Sequence, residues 1–107
     1  MASTPQPINV AVLATATTLY TAFVGGASRA MVVSLDFTNT TTADITLDVY
    51  VESSGPVDRY LSDDLVVPAK GSATWRGMVT LDTGGQLLKA IASATGVDAL
   101  GTVVENA

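Results

Sequence analysis

Along much of the chain, apolar and polar residues take turns with a period of two. Between Ala30 and Asn39, the side chains of Met31, Val33, Leu35 and Phe37 fall on one side. Ser34, Asp36 and Thr38 fall on the other, with Val32 out of step. From Asp44 to Glu52 the alternation is cleaner: Ile45, Leu47, Val49 and Val51 alternate with Asp44, Thr46, Asp48, Tyr50 and Glu52. Successive side chains of a strand point to opposite faces, so both segments read as strands with one face in a core. A polar connector of hairpin length, Asn39-Thr40-Thr41-Thr42-Ala43, separates them, and the pattern predicts an antiparallel pair.

Turn residues recur at short intervals, at Gly25-Gly26, Ser54-Gly55-Pro56, Pro68 to Gly71, Gly84-Gly85 and Gly96. They divide the rest of the chain into further predicted strands over residues 8–15, 18–24, 59–67, 72–81, 86–94 and 98–105. One stretch fits two templates. Gln86 to Ala94 places Leu87 and Ile91, and Leu88 and Ala92, four apart as in a short helix. Its brevity and flanking glycines favour a strand, and its small residues Ala90, Ala92 and Ala94 would let an opposing sheet come close. The expected fold is all-β, a small antiparallel β-sandwich of jelly-roll-like form with about eight short strands. Residues 1–7 carry two prolines and no periodicity, which predicts an extended N-terminal arm, free or docked on a neighbouring subunit, ahead of a domain over 8–107.

Composition sharpens this reading. A chain of 107 residues fits one domain, and a domain of that size buries roughly two-thirds of its unfolded surface. Only 14% of the residues are charged, against about a quarter in ordinary soluble domains. The surface is therefore covered by Thr, Ser, Ala, Gly and Asn, either as a neutral β surface or because part of it is hidden against partners.

The net charge is -5. The five basic residues, Arg29, Arg59, Lys70, Arg76 and Lys89, are scattered and outnumbered. Nucleic-acid binding needs clustered cations on phosphates, and an anionic membrane surface needs the same, so neither is expected as a partner. With no cysteine and no histidine, disulfides, thiol chemistry, histidine acid–base catalysis and ordinary zinc sites are excluded. Met1 to Pro7 lacks the basic-then-apolar pattern of a signal peptide. No run approaches about 18 apolar residues, the length of a membrane helix.

The acidic residues are the remaining candidates for chemistry. Asp63-Asp64 is the densest cluster, with Asp58 nearby. A glycosidase needs two carboxylates facing one another, whereas strand neighbours diverge, so one of this pair would face inward unless a bulge or loop intervenes. Asp44, Asp48 and Glu52 share a strand face, but residues four apart on an extended chain lie roughly 13 Å apart, too far for one ion. No base activates the serines and threonines, and Gly84-Gly85 lacks the ending of a phosphate loop. The expectation is a chain with no catalytic, cofactor-binding or metal-binding residue and no cofactor. Among the aromatics, Tyr50 is predicted on an exposed strand face; Tyr50, Tyr60 and Trp75 are candidate stacking platforms for sugars, against the simpler reading of Trp75 as a core or interface anchor.

The order of pieces carries a resemblance. Thr18-Leu19-Tyr20-Thr21 leads into Met31-Val32-Val33-Ser34-Leu35 and Asn39-Thr40-Thr41, then Ile45 to Val51. Leu65-Val66-Val67-Pro68-Ala69-Lys70-Gly71, Gly85 to Ala90 and Val103-Val104-Glu105 follow. Over residues 15–105 this resembles the small β-sandwich accessory proteins of tailed bacteriophage virions and gene transfer agents. The Asp58 to Asp64 segment and the alanines of 90–94 depart from that pattern. The resemblance implies a non-enzymatic structural subunit, an adaptor or base attaching a head spike, fibre or tail component. It further implies a homo-oligomeric ring, contacts with capsid, spike, fibre or tail proteins, and residence in a virion or phage-like particle assembled in the bacterial cytoplasm. The alternative function is a carbohydrate- or host-surface-binding β-sandwich module.

Overall fold

The computed structural model describes residues 3–22, 29–53, 57–81 and 84–106. Among the described residues there are eight strands: β1 (Ser3–Val12), β2 (Thr17–Thr21), β3 (Arg29–Asn39), β4 (Ile45–Ser53), β5 (Val57–Val67), β6 (Ser72–Leu81), β7 (Leu87–Ala92) and β8 (Val97–Asn106). They form two four-stranded antiparallel sheets, β1-β8-β3-β6 and β2-β7-β4-β5. This order is that of a jelly roll, in which the chain passes between the two sheets at its corners. The ambiguous stretch over 86–94 contains strand β7, and its Ala90 and Ala92 lie in the core. The glycine turn at Gly25-Gly26 and the turn Ser54-Gly55-Pro56 lie outside the described residues.

The inner faces meet in one core. Leu35, Phe37, Val32 and Ala99 of the first sheet oppose Leu47, Val49, Leu88 and Ala90 of the second, all fully buried. Removing such side chains from water is the main favourable term in folding, and two sheets can share it only with their apolar faces inward.

Two expectations are corrected here. The segments 30–39 and 44–52 do not pair with each other: β3 lies between β8 and β6, and β4 between β7 and β5. Alternation marks which face of a strand is buried, but a strand opposite across the core produces the same pattern as a neighbour in the sheet. The connector is a corner, and Asn39 makes it one. Its buried side chain donates to the carbonyls of Ala43 (2.7 Å) and Val67 (3.1 Å). Its Oδ1 accepts from the Thr41 amide (2.8 Å) and the Thr41 hydroxyl (2.7 Å).

The second correction concerns parity in β3. Val32 is buried while Val33 is 42% exposed, the reverse of the expected faces, whereas Leu35 and Phe37 point inward as predicted. The register explains both. Val32 faces Val103 and Ser34 faces Thr102, so β3 carries one extra residue, Val33, at a bulge. A bulge shifts every residue on one side of it to the other face. The residue out of step in the sequence is the mark of that bulge.

Ser3 to Pro7, within the expected arm, is extended and pairs residue by residue with β8. Pro5 and Pro7 face Val104 and Thr102 there. Proline offers no amide to a ladder and is tolerated because β1 is an edge strand.

Three corners interlock at one end of the sandwich. The Asn39 amide donates to Gly71 O (2.9 Å), the Lys70 amide to Thr41 O (3.0 Å) and the Thr40 amide to Gly96 O (3.0 Å). Gly96 has φ +120, and a Cβ there would lie 2.3 Å from Thr41 Cγ2, so the close approach requires glycine.

Candidate functional site

The outer face of the β2-β7-β4-β5 sheet carries Asp48, Tyr50, Glu52, Tyr60, Asp63 and Asp64; the Asp58 side chain lies outside the described ones. Strand β5 is longer than its partner by two residues: Leu47 faces Leu65, Val49 faces Ser62 and Tyr50 faces Tyr60. Asp64 takes up part of that surplus with φ +55, a left-handed conformation that aspartate tolerates better than most residues. Its amide donates to Asp48 Oδ1 (2.9 Å). The bulge turns Asp63 and Asp64 both outward, as the sequence requires if neither is to be buried.

Asp48 thereby joins Asp63 and Asp64, with one carboxylate oxygen of each within 4.8 Å of the others. Along its own strand Asp48 is too far from Asp44 and Glu52 to share an ion with them; it meets Asp63 and Asp64 across strands. Asp44 instead holds the Ala69 amide (2.9 Å) at the corner. The only sequence signal for the trio was the adjacent pair Asp63-Asp64, which needs a bulge to stay wet. The hydrogen bond with Asp48 and the charges of Asp48 and Asp64 raise the Asp63 pKa above the ordinary carboxylate range. A shallow depression of about 150 Å³ beside the trio is lined by Thr46, Asp48, Asp64, Ile91, Ala92 and Ser93. Three carboxylates fall short of the six to eight oxygens that calcium takes, so any hard cation here would keep several waters.

The aromatic candidates separate. Tyr50 projects from the outer face as the alternation requires, yet it is only 5% exposed. Tyr60, directly opposite on β5, stacks at a tilt of 33° with ring centroids 5.4 Å apart. On the other side, Tyr50 faces Lys89, whose ammonium pairs with Glu52 at 2.6 Å. Tyr60 is 55% exposed. Trp75 points inward, half-buried against the core, which removes it as a platform and makes it an anchor of β6.

Sequence reasoning missed a buried polar cluster. Glu105 on β8 is almost wholly buried and accepts hydrogen bonds from the Tyr20 hydroxyl and from Gln6 Nε2 (3.3 Å). These contacts tie β1, β2 and β8 together across the two sheets. A glutamate next to the chain end gave no sign of burial beyond its place in the alternation Val103, Glu105.

The fold and its surface define a jelly-roll β-sandwich with an acidic outer face on one sheet. No protein-family model matches the chain, and no curated protein matches it. Among solved structures it is similar to one described as a Bacillus endospore appendage, from a novel family of disulfide-linked pili. The likeness has a TM-score of 0.57 at 13% identity and covers 99% of this chain and 88% of that one. At that identity it is a likeness of fold.

Proposed function

We propose that the chain is a non-enzymatic structural subunit that assembles with copies of itself. Its place would be a phage or phage-like particle, as an adaptor or base that attaches a head spike, fibre or tail component. The observation that carries the reading is the jelly-roll sandwich, shared along nearly the whole chain with a protein of a built appendage. The low charged fraction, 14%, fits a surface that spends its life against partners. This chain has no cysteine, so its assembly would be held by non-covalent contacts and not by disulfides as in those disulfide-linked pili.

The test is an inventory of particles purified from cells that encode the chain. The reading expects the chain in fixed ratio to capsid, tail or spike proteins; a chain found only free in the lysate contradicts it. One observation keeps a second reading, the carbohydrate- or host-surface-binding module, and it is the exposed ring of Tyr60 held by Tyr50. Glycan-array binding lost on Tyr60→Ala would favour it, and a flat array would dismiss it.

A further inference from the structure

The two outer faces of the sandwich differ in charge. On the β2-β7-β4-β5 sheet, Asp48, Glu52, Asp63 and Asp64 stand against Lys89 alone among the described side chains. On the β1-β8-β3-β6 sheet, Asp36 and Asp98 are balanced by Arg29 and Arg76. The balanced face carries apolar side chains as well. Pro5, Val104 and Met31 lie in one row across three strands, and Val33 and Leu100 are 42% and 48% exposed. In a chain of net charge -5, a neutral face with apolar side chains at its middle is a marked local departure.

The strand edges are poor places for a neighbour. Prolines interrupt the edge of β1, and β2 is five residues long. Strand β5 is bulged twice, and β6 is one residue longer than β3 between the Val32–Val79 and Ser34–Arg76 pairs. Prolines, short length and bulges all hinder the addition of a strand.

We propose that the outer face of the β1-β8-β3-β6 sheet is the contact face for a second copy of this chain, packed sheet on sheet about a two-fold axis. Charge complementarity favours a copy of itself. Arg76 faces Ser34 in register, and Asp36 lies two residues along β3, so the opposite charges are neighbours. A two-fold axis running between them, parallel to the face, sets Arg76 of each copy over Asp36 of the other. Such an isologous contact closes on itself. The acidic faces are then left pointing outward, where like charges need not meet. The area also suffices. Four strands of about ten residues span about 19 Å by 33 Å, roughly 630 Å² in flat projection. Side-chain relief raises that toward the ~800 Å² per partner of a specific interface.

This inference rests on the assembly reading, and the experiment separates the two. The full-length chain is followed by sedimentation equilibrium as wild type, Leu100→Asp and Val66→Asp; Val66 is 51% exposed on the other sheet. Placing a carboxylate at the centre of the contact is expected to weaken self-association by about tenfold or more, while Val66→Asp leaves it unchanged. Both side chains point to solvent in the monomer, and thermal melts check that both variants fold. If Leu100→Asp does not fold, cross-linking decides instead. The chain has no cysteine, so Leu100→Cys with a short bis-maleimide should give a covalent dimer and Val66→Cys should not. A wild type that associates while Leu100→Asp does so equally overturns the face and leaves the assembly reading standing. A wild type that stays monomeric at every concentration overturns both.

Discussion

Asn39 is the residue on which the crossing between sheets turns, and Asn39→Ala is the perturbation that reads its weight. The side chain makes four hydrogen bonds, two as donor and two as acceptor. The one to Val67 O is buried, where water does not readily replace the lost donor, at a cost of about 1–3 kcal/mol. The others are part-buried, and water replaces some of what they lose, at about 0.5–1 kcal/mol each. The total is roughly 2.5–6 kcal/mol, which at about 4 °C per kcal/mol for a domain near this size lowers Tm by about 10–24 °C. Urea unfolding, followed by the fluorescence of the half-buried Trp75, measures it; the midpoint should fall with m unchanged. Asn39→Asp is expected to be as costly at neutral pH, because a carboxylate oxygen would then face the carbonyls of Ala43 and Val67. A loss below about 1 kcal/mol for Asn39→Ala would refute the claim that this side chain builds the corner.

Three further outcomes are expected. Tyr20→Phe removes the hydroxyl that Glu105 accepts and should cost about 1–3 kcal/mol in the same unfolding assay. Gly96→Ala forces a Cβ onto Thr41 at a positive φ and should cost about 2 kcal/mol or more, visible as a lower Tm. The pH dependence of stability should show the raised pKa of Asp63. The folded state holds this proton more tightly than the unfolded chain, so stability falls as pH rises from the ordinary carboxylate value through the raised one. Asp63→Asn should flatten that part of the profile in a pH series of urea titrations; an unchanged slope would count against the repulsion.

The periodicity in the sequence was enough for the strands themselves. The eight predicted segments and the observed ones overlap throughout, because glycine and proline turns or short polar connectors separated the apolar runs. Pairing was not legible. Nothing in Asn39 to Ala43 distinguishes a hairpin from a corner until the Asn39 side chain is seen to bond Val67, a residue 28 positions away. The acidic trio was hidden for a related reason. Distance along one strand separated Asp48 from Asp44 and Glu52, but Asp48 meets Asp63 and Asp64 across strands and through a bulge. Bulges also misled the faces of β3, where Val32 alone hinted at the shift. What sequence supplies is local, and the contacts that set the surface of this protein are between strands far apart in the chain.

The proposed role requires this jelly roll to join copies of itself. The native mass of the untagged chain, followed by native mass spectrometry over a wide range of concentration, tests it most directly. The expected result is a rise from 10.9 kDa to a discrete multiple of it as concentration increases. A single species at the mass of one chain throughout would contradict it.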